Sequence, residues 1–363
     1  MIATATGDAR PRVAVVFGGR SPEHAISCLT ATQVVAAIDQ RRFRVLPVGI
    51  TREGHWVTAD SAQAMARPSS DGLLEVVAGE GMSQSPPGQP PARLSEVEVV
   101  LPLLHGSYGE DGTVQGLLEL ADVRYVGSGV LASAAAMHKH VMKTLLAAAG
   151  IPVCRWVTFT RHDWENDRPR VASEVGALGW PVFVKPSRAG SSFGISKVDM
   201  AGDLPAAVEH AATFDPVLVV EEMVEGRELE CGVLQSVDTA PPEVSAVGEV
   251  IVGGEHAFYD FAAKYLDEDA LELVIPARLG GETVSQVQHL AAAAFDALGC
   301  EGLARVDFFL CPDGRVLLNE VNTMPGFTAS SMFPRVWAAS GLDYPALVER
   351  LITTALNRPL GLR

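Results

Sequence analysis

Residues 304–327, ARVDFFLCPDGRVLLNEVNTMPGF, constrain the fold more than any other stretch of the chain. Two apolar, β-prone runs flank Pro312, Asp313 and Gly314, which fix φ, accept local hydrogen bonds and tolerate positive φ. The stretch therefore reads as a strand, a tight reversal and a second strand. Strand side chains alternate between faces, which puts Arg305, Asp307 and Phe309 on one face of the first strand and Leu318, Glu320 and Asn322 on one face of the second. If the two faces coincide, one hairpin presents two carboxylates, an amide oxygen and a guanidinium together. Such oxygen donors suit a hard divalent cation, Mg²⁺ in particular, whose shell is completed by waters and phosphate oxygens. The competing reading is a solvated polar face on an antiparallel hairpin. Against it, Asp307 is followed by Phe308, Phe309 and Leu310, and Glu320 is preceded by Val316, Leu317 and Leu318. Carboxylates buried in such runs need a partner or a metal.

The chain of 363 residues is long enough for two or three domains, and a 48% share of hydrophobic side chains is ample for their cores. Its net charge of −16 argues against nucleic acid or an anionic membrane as the main partner, so an anionic substrate needs locally placed cations. Lysine is scarce: Lys139, Lys143, Lys185, Lys197 and Lys264 are the only five. Either compact point charges are kept for phosphates, or genome composition has favoured Arg. The five cysteines are scattered and lack C-x-x-C spacing, as expected of free thiols in a reducing cytosol. No apolar signal region precedes the first strand and no run reaches transmembrane length, so a soluble cytoplasmic protein is expected.

Ahead of the hairpin, strands, glycine-rich turns and helices follow one another. Residues 13–17 are an apolar strand, Gly18 and Gly19 a turn, and Ser21 and Pro22 can start a helix that buries Ile26, Leu29, Val34 and Ile38. This order opens a parallel α/β unit. The helix N-terminus suits an anion, yet Glu23 stands in its first turn, either as an ordinary helix-starting residue or to pair with a ligand ammonium. Strands are expected at 43–50 and 97–104, separated by an exposed Pro/Gly/Ser-rich insertion at 64–91 that carries no chemistry. HGSYGEDGTVQG, 105–116, leads into a helix at 113–121; its glycines let backbone approach a ligand, and Asp111 reads as a helix-starting residue. His105, at the carboxyl end of a strand, is either structural or in the place where open α/β sheets bind ligands. A helix over 134–149 carries Lys139 and Lys143. A strand at 181–185 ends in Lys185 and runs into PSRAGSSFG, which is either a plain turn or a phosphate cradle of amides and hydroxyls. Beyond a helix at 203–212 and strands at 217–221, 227–234 and 244–252, the aperiodic stretch 253–270 has the length and composition of a lid and contains Lys264 and Tyr265. Helices are expected at 284–298 and 344–356.

Five motifs in order, VVFGGRSPEHAIS, HGSYGEDGTVQG, VKPSRAGSSFGISKV, FYDFAAKYL and LGCEGLARVDFFLCPDGRVLLNEVNTMPG, resemble the D-alanine:D-alanine ligases of the ATP-grasp superfamily. The likeness runs from residue 13 to the terminal helix, the 64–91 insertion excepted. It implies an α/β (α+β) fold of three-domain ATP-grasp architecture: an N-terminal parallel α/β substrate domain at 10–133, a central ATP-grasp domain at 134–224, and a C-terminal ATP-grasp domain at 225–363 with the metal site and a mobile loop at 253–270. It further implies ATP-dependent ligation of two D-alanine molecules through D-alanyl phosphate, for peptidoglycan precursor synthesis, with two Mg²⁺ ions that Mn²⁺ can replace. By the same likeness Lys139, Lys185, Ser192 and Lys264 face the phosphates of ATP, Glu221, Glu222, Met223 and Val224 grip adenine, and Glu228 holds the ribose. Asp307, Glu320 and Asn322 correspond to the metal ligands. Glu23, linked to the lid by Ser191 and Tyr265, resembles the residue that binds the first substrate's ammonium, and His105 lies near that substrate's carboxylate. Arg305 and the N–H of Gly326 resemble the oxyanion site, and Ser331 the residue that receives the second substrate's carboxylate. A cytoplasmic homodimer is expected, with neither nucleic acid nor membrane as partner.

Glu222 and Met223 depart from the Lys and aromatic residue that many relatives carry in the adenine linker, where recognition runs mainly through backbone. Two other readings remain open. One is a ligase joining D-alanine to D-lactate or D-serine; the Lys264-Tyr265 pair speaks against D-lactate. The other is an ATP-binding protein without ligase activity, in which loss of a metal ligand or of Arg305 is expected, whereas all are present.

Overall fold

The structure is a computed structural model that describes residues 9–59, 61, 66–69, 72–79, 82–190, 192–237, 240–253 and 271–360. Ser191, Lys264, Tyr265 and nearly all of the expected lid lie outside the described residues. The first strand, Arg12–Gly18, is parallel to Arg44–Ile50 on one side and to Val99–Pro102 on the other. It is covered on both faces, which is why it reads as an unbroken apolar run. Arg124–Tyr125 extends the parallel sheet, while Trp56–Thr58 and Ser83–Ser85 close its other edge antiparallel.

The helix His24–Ala37 packs on this sheet with Val34 and Ile38 buried as expected, but its first half turns a different side inward. Leu29 is exposed, and the buried side is His24, Ser27, Cys28, Thr30, Ala31 and Val34. Small side chains let the helix approach the backbone: Ser27 Oγ accepts the Gly18 N–H at 2.7 Å and donates to the Leu103 carbonyl. The 64–91 insertion also differs from expectation. Ala66–Pro68 pairs with Leu74–Val76, Val76 enters the hydrophobic core, and its N–H donates to His24 Nε2 at 2.9 Å. With Nδ1 of His24 on the Gly19 carbonyl at 2.6 Å, one imidazole ties the insertion to the glycine turn.

The helix expected over 134–149 is two helices, Val130–Met137 and Lys139–Ala148. The chain is extended at His138, because the Lys139 N–H leaves the helical ladder and donates to the Ser187 carbonyl at 3.0 Å. Next comes a four-stranded antiparallel sheet, in the order Ser196–Val198, Val182–Pro186, Val217–Glu222, Trp156–Thr160. It has a core of its own, including Phe159, Trp164, Val184, Val208 and Leu218.

The third sheet has five antiparallel strands, in the order Leu271–Val274, Glu243–Val252, Arg227–Leu234, Leu303–Leu310, Val316–Asn322. One face packs on the helix Gly281–Ala297 and on Met142 and Leu146 of the preceding helix pair. The helices Met332–Ala339 and Tyr344–Leu356 join the first sheet in one continuous core, where Phe333, Trp337 and Leu351 meet Val34, Leu101 and Leu103.

The final hairpin forms around the expected turn, with one correction. Asp307 stands opposite Glu320, but Phe308 stands opposite Leu318, so Asn319 is an extra residue in a β-bulge. Leu318 therefore faces the apolar core with Phe308 and Val306, while Glu320 and Asn322 face the other way. Strict alternation put all three on one face; the bulge separates them, and the apolar demand of the core sets the break. Deleting Asn319 should remove the bulge and leave Leu318 and Glu320 as neighbours on opposite faces by simple alternation, so the deletion variant and Asn319→Ala should both stay folded in urea denaturation. Adding one residue after Asn319 should instead turn Glu320 and Asn322 inward at about 2 kcal/mol or more each, a large loss against a usual stability of about 5–15 kcal/mol.

Candidate active site

The polar face of the five-stranded sheet collects its residues by register. Asn322 lies opposite Arg305 and Glu320 opposite Asp307; on the neighbouring strand Glu230 lies opposite Asp307 and Glu228 opposite Phe309. The Arg305 fork donates to both Asp307 oxygens, Nε to Oδ1 and Nη2 to Oδ2 at 2.7 Å each, and its Nε is 2.9 Å from Glu230 Oε2. Asn322 Nδ2 donates to Asp307 Oδ2 at 3.0 Å, which leaves its amide oxygen to act as an acceptor. Two carboxylates, of Asp307 and Glu230, thus flank one guanidinium, and Glu320 stands in register with Asp307, oxygen donors of the kind that suit a hard divalent cation. Among the described residues no group of three or more His, Cys, Asp or Glu side chains could hold a metal alone, so a metal here draws on the Asn322 amide as well.

A second cluster lies across from this face. Lys139 and Lys143 stand one helical turn apart, and Lys143 is fully buried. Its Nζ is 3.1 Å from Glu221 Oε1 and 3.2 Å from Cys154 Sγ, while Lys185 Nζ donates to Glu221 Oε2 at 2.6 Å. Burial alone would raise the Glu221 pKa, but the two ammonium groups outweigh it and hold the carboxyl at about 2. Lys139 Nζ donates to the Ala189 carbonyl at 2.7 Å, in the loop that carries Ser192 at φ 60°. Burial lowers the Lys139 pKa, and Glu320 opposes that shift. Glu222 is held at the strand end by Arg155, whose N–H and Nε donate to it at 2.8 and 2.7 Å. A cavity of about 620 Å³ lies between this linker, with Met223 and Val224, and the far end of the hairpin at Leu317.

The first unit supplies the remaining groups. Glu23 is the N-cap position of its helix, one step before the expected first turn, and is buried. Its Oε2 lies where any side chain at Gly106 would stand: a Cβ there, at φ +71°, would be 2.4 Å away, and one at Gly190 3.3 Å. The HGSYGEDG loop and the Ser-bearing loop thus close on Glu23 with backbone alone. His105 is buried, with Nδ1 3.1 Å from the Met324 carbonyl and, among the described residues, no partner for Nε2. Burial lowers its pKa, although Glu23 pulls the other way. Gly112 is the N-cap of the helix Thr113–Leu120, and Asp111, one position before it, accepts from the Thr113 N–H at 3.0 Å. Ser331 is the N-cap of Met332–Ala339, its Oγ within 2.7 Å of Thr328 Oγ1 and 3.3 Å from where a Cβ on Gly326 would be.

Three contributors had been given no role. Glu230 was detectable as the alternate residue after Glu228, and Lys143 by its spacing from Lys139. Glu110 had no local signal, because its partner Met324 is 214 positions away.

Comparison with known proteins adds an independent line. Residues 12–128 match the family model described as D-ala D-ala ligase N-terminus, and residues 145–353 the one described as D-ala D-ala ligase C-terminus. A D-alanine--D-alanine ligase of Kineococcus radiotolerans is 54% identical, over 98% of this chain and 99% of its own. One from an Arthrobacter species is 52% identical, over 99% and 98%. Among solved structures, the VanG D-Ala:D-Ser ligase from Enterococcus faecalis superposes with a TM-score of 0.78 at 35% identity, covering 95% of this chain and 99% of that one. The D-alanine-D-alanine ligase from Coxiella burnetii gives 0.77 at 31% identity, covering 97% and 95%.

The buried lysine cluster generates a stability prediction. Glu221 is depressed from 4.5 to about 2, so its contribution is present above about pH 4.5 and is lost as pH falls toward 2. Lys143→Met should cost about 3 kcal/mol at neutral pH by leaving a buried carboxylate half-paired. It should also move acid unfolding to higher pH, as followed by urea melts across the acid range.

Proposed function

The chain belongs to the D-alanine–D-alanine ligase family, and from that premise we propose how its own residues carry the reaction. It is an ATP-grasp enzyme that joins two D-alanine molecules at the expense of ATP, a step of peptidoglycan precursor synthesis. The observation that carries the site assignment is the sheet face on which Arg305 gathers Glu230, Asp307 and Asn322 beside Glu320.

In the first step the carboxylate of one D-alanine attacks the γ-phosphorus of ATP, giving D-alanyl phosphate and ADP. Lys139 and Lys185 neutralise phosphate charge, with Ser192 in the loop above them. Glu221, occupied by two lysines through its side chain, serves adenine through its backbone, together with Glu222, Met223 and Val224. Glu228 takes the ribose hydroxyls. Asp307, Glu320 and Asn322 would hold Mg²⁺, two ions in all with Mn²⁺ as a substitute, and such ions screen charge on phosphate oxygens. Glu23 binds the first substrate's ammonium, and His105 faces its carboxylate.

In the second step the amine of the other D-alanine adds to the acyl carbon and phosphate leaves. Negative charge gathers on the tetrahedral oxygen, which Arg305 and the Gly326 N–H receive. Ser331, at a helix N-terminus, suits the carboxylate of the incoming substrate. Ser191 and Tyr265 complete the link from Glu23 to the lid, and Lys264 reaches the γ-phosphate.

We also propose three working units, 10–133, 134–224 and 225–363, with the paired helices at 130–148 as the join. A cytoplasmic homodimer is the proposed state; no described helix is long and apolar enough to cross a membrane.

Phosphate release with ATP, Mg²⁺ and D-alanine alone, with the product identified by mass, tests the assignment. The dipeptide is expected. Release only with added D-serine or D-lactate would instead make the chain a mixed ligase, and ATP binding without release would make it a non-catalytic relative. Glu320→Gln should lower turnover at least about a hundredfold with an unchanged melting temperature; near-normal turnover would remove the hairpin from the mechanism.

A further inference from the structure

The loop after Val99–Pro102 carries two acids with different duties. Asp111 serves the loop, accepting from the Tyr108 and Thr113 N–H groups. Glu110 reaches outside it. One of its oxygens accepts the Gly106 N–H at 2.7 Å, and the other accepts the Met324 N–H at 3.1 Å. The Met324 carbonyl is held in turn by Nδ1 of His105 at 3.1 Å. Both polar groups of residue 324 are therefore bound by the first unit, and the Met324 side chain is buried in the core. Asn322 lies two residues before this point and Gly326 two residues after it.

We propose that Glu110 is a positioning residue for peptide-bond formation, fixing the 322–326 segment against the first-substrate pocket through the Met324 N–H so that the Gly326 N–H meets the tetrahedral oxygen in a set place. This rests on the assignment of Gly326 as an oxyanion donor. The physical reason is that a donor of this kind works only if it is oriented before charge develops, and a displacement of about 1 Å can cost about a hundredfold in rate. The segment follows a strand and precedes a helix, and the Glu110 carboxyl holds it from outside its own unit.

The charges around the carboxyl give the latch a pH signature. Burial first, and Glu23 second, push Glu110 up to about 8, while the Gly106 and Met324 N–H groups and Arg305 oppose them. His105, from the same loop, is the other titratable group at Met324. Ionised, the carboxylate makes two charge-assisted hydrogen bonds; protonated, it makes weaker ones. A substrate ammonium on Glu23 removes one of the groups that keep Glu110 protonated. Hence kcat/KM for D-alanine should rise with pH through about 8, and the corresponding limb in kcat should lie lower.

The test compares Glu110→Gln with the unchanged enzyme in three readouts: dipeptide formation, KM for ATP, and isotope scrambling at the β–γ bridge oxygen of ATP, which reports acyl phosphate formation. Expected are a fall in dipeptide kcat of about 10- to 100-fold, retained KM for ATP and scrambling, and loss of the limb near pH 8. Glu110→Asp, which keeps the charge but is too short to span both donors, should fall in between and keep a limb. Normal kcat with the limb intact in Glu110→Gln would overturn the proposal. Parallel loss of all three readouts together with a lowered melting temperature in both variants would also overturn it, by reducing Glu110 to a structural residue. Gly326→Pro, which deletes the N–H and leaves the Glu110 bonds in place, tests the underlying assignment separately: normal dipeptide formation there would dismiss Gly326 as a donor whatever Glu110 does.

Discussion

Charge compensation on one face of the five-stranded sheet is the constraint on which the site depends. Glu230 and Glu320 stand in register with Asp307 on its two neighbouring strands, and the planar fork of Arg305 is committed to Asp307 and Glu230. That register gathers the acids on one polar face, the face proposed to hold a metal. The bulge at Asn319 makes it possible, because it lets Leu318 fill the core while Glu320 and Asn322 stay on the polar side.

The two ends of the site are built from different interactions. At the end proposed to take the phosphates, Lys143, Glu221 and Lys185 form a buried chain of ion pairs. Such a chain is a weak source of stability, since desolvation offsets much of the attraction, but it holds an ammonium group at a fixed point. At the end proposed to take the amino acids the closest contacts are made by backbone. Gly106 passes over Glu23 where a Cβ would clash and Gly190 where one would be tight, and Met324 is bound through its own peptide groups. Phosphates answer to point charges, whereas a tetrahedral oxygen answers to oriented N–H dipoles.

Several expectations failed for the same reason. Leu29 is exposed because the helix His24–Ala37 is drawn to the sheet by Ser27, which bonds backbone on both sides, and not by its largest apolar residues. The insertion at 64–91 looked featureless in composition, yet Val76 is drawn into the core and its N–H is met by His24. The break at His138 lies inside a run of good helix formers; a carbonyl 49 residues further on, that of Ser187, takes the Lys139 N–H instead. In each case a distant backbone group outweighed local propensity.

The sequence alone determined the elements whose signal is local: the buried parallel strand at its start, the Pro312 to Gly314 reversal, the acids on alternating positions of the hairpin, and the terminal helix Tyr344–Leu356, which spans the expected residues. Periodicity and turn chemistry act over a few residues, so they are written in a few residues. The tertiary structure decided which of those residues meet. Only the register of neighbouring strands brought Glu230 to Arg305, only the fold brought Lys143 to Glu221, and only the packing of the first unit on the last brought Glu110 to Met324. These contacts join positions too far apart for any periodicity to connect, and their strength comes from burial, which exists only once the chain has folded.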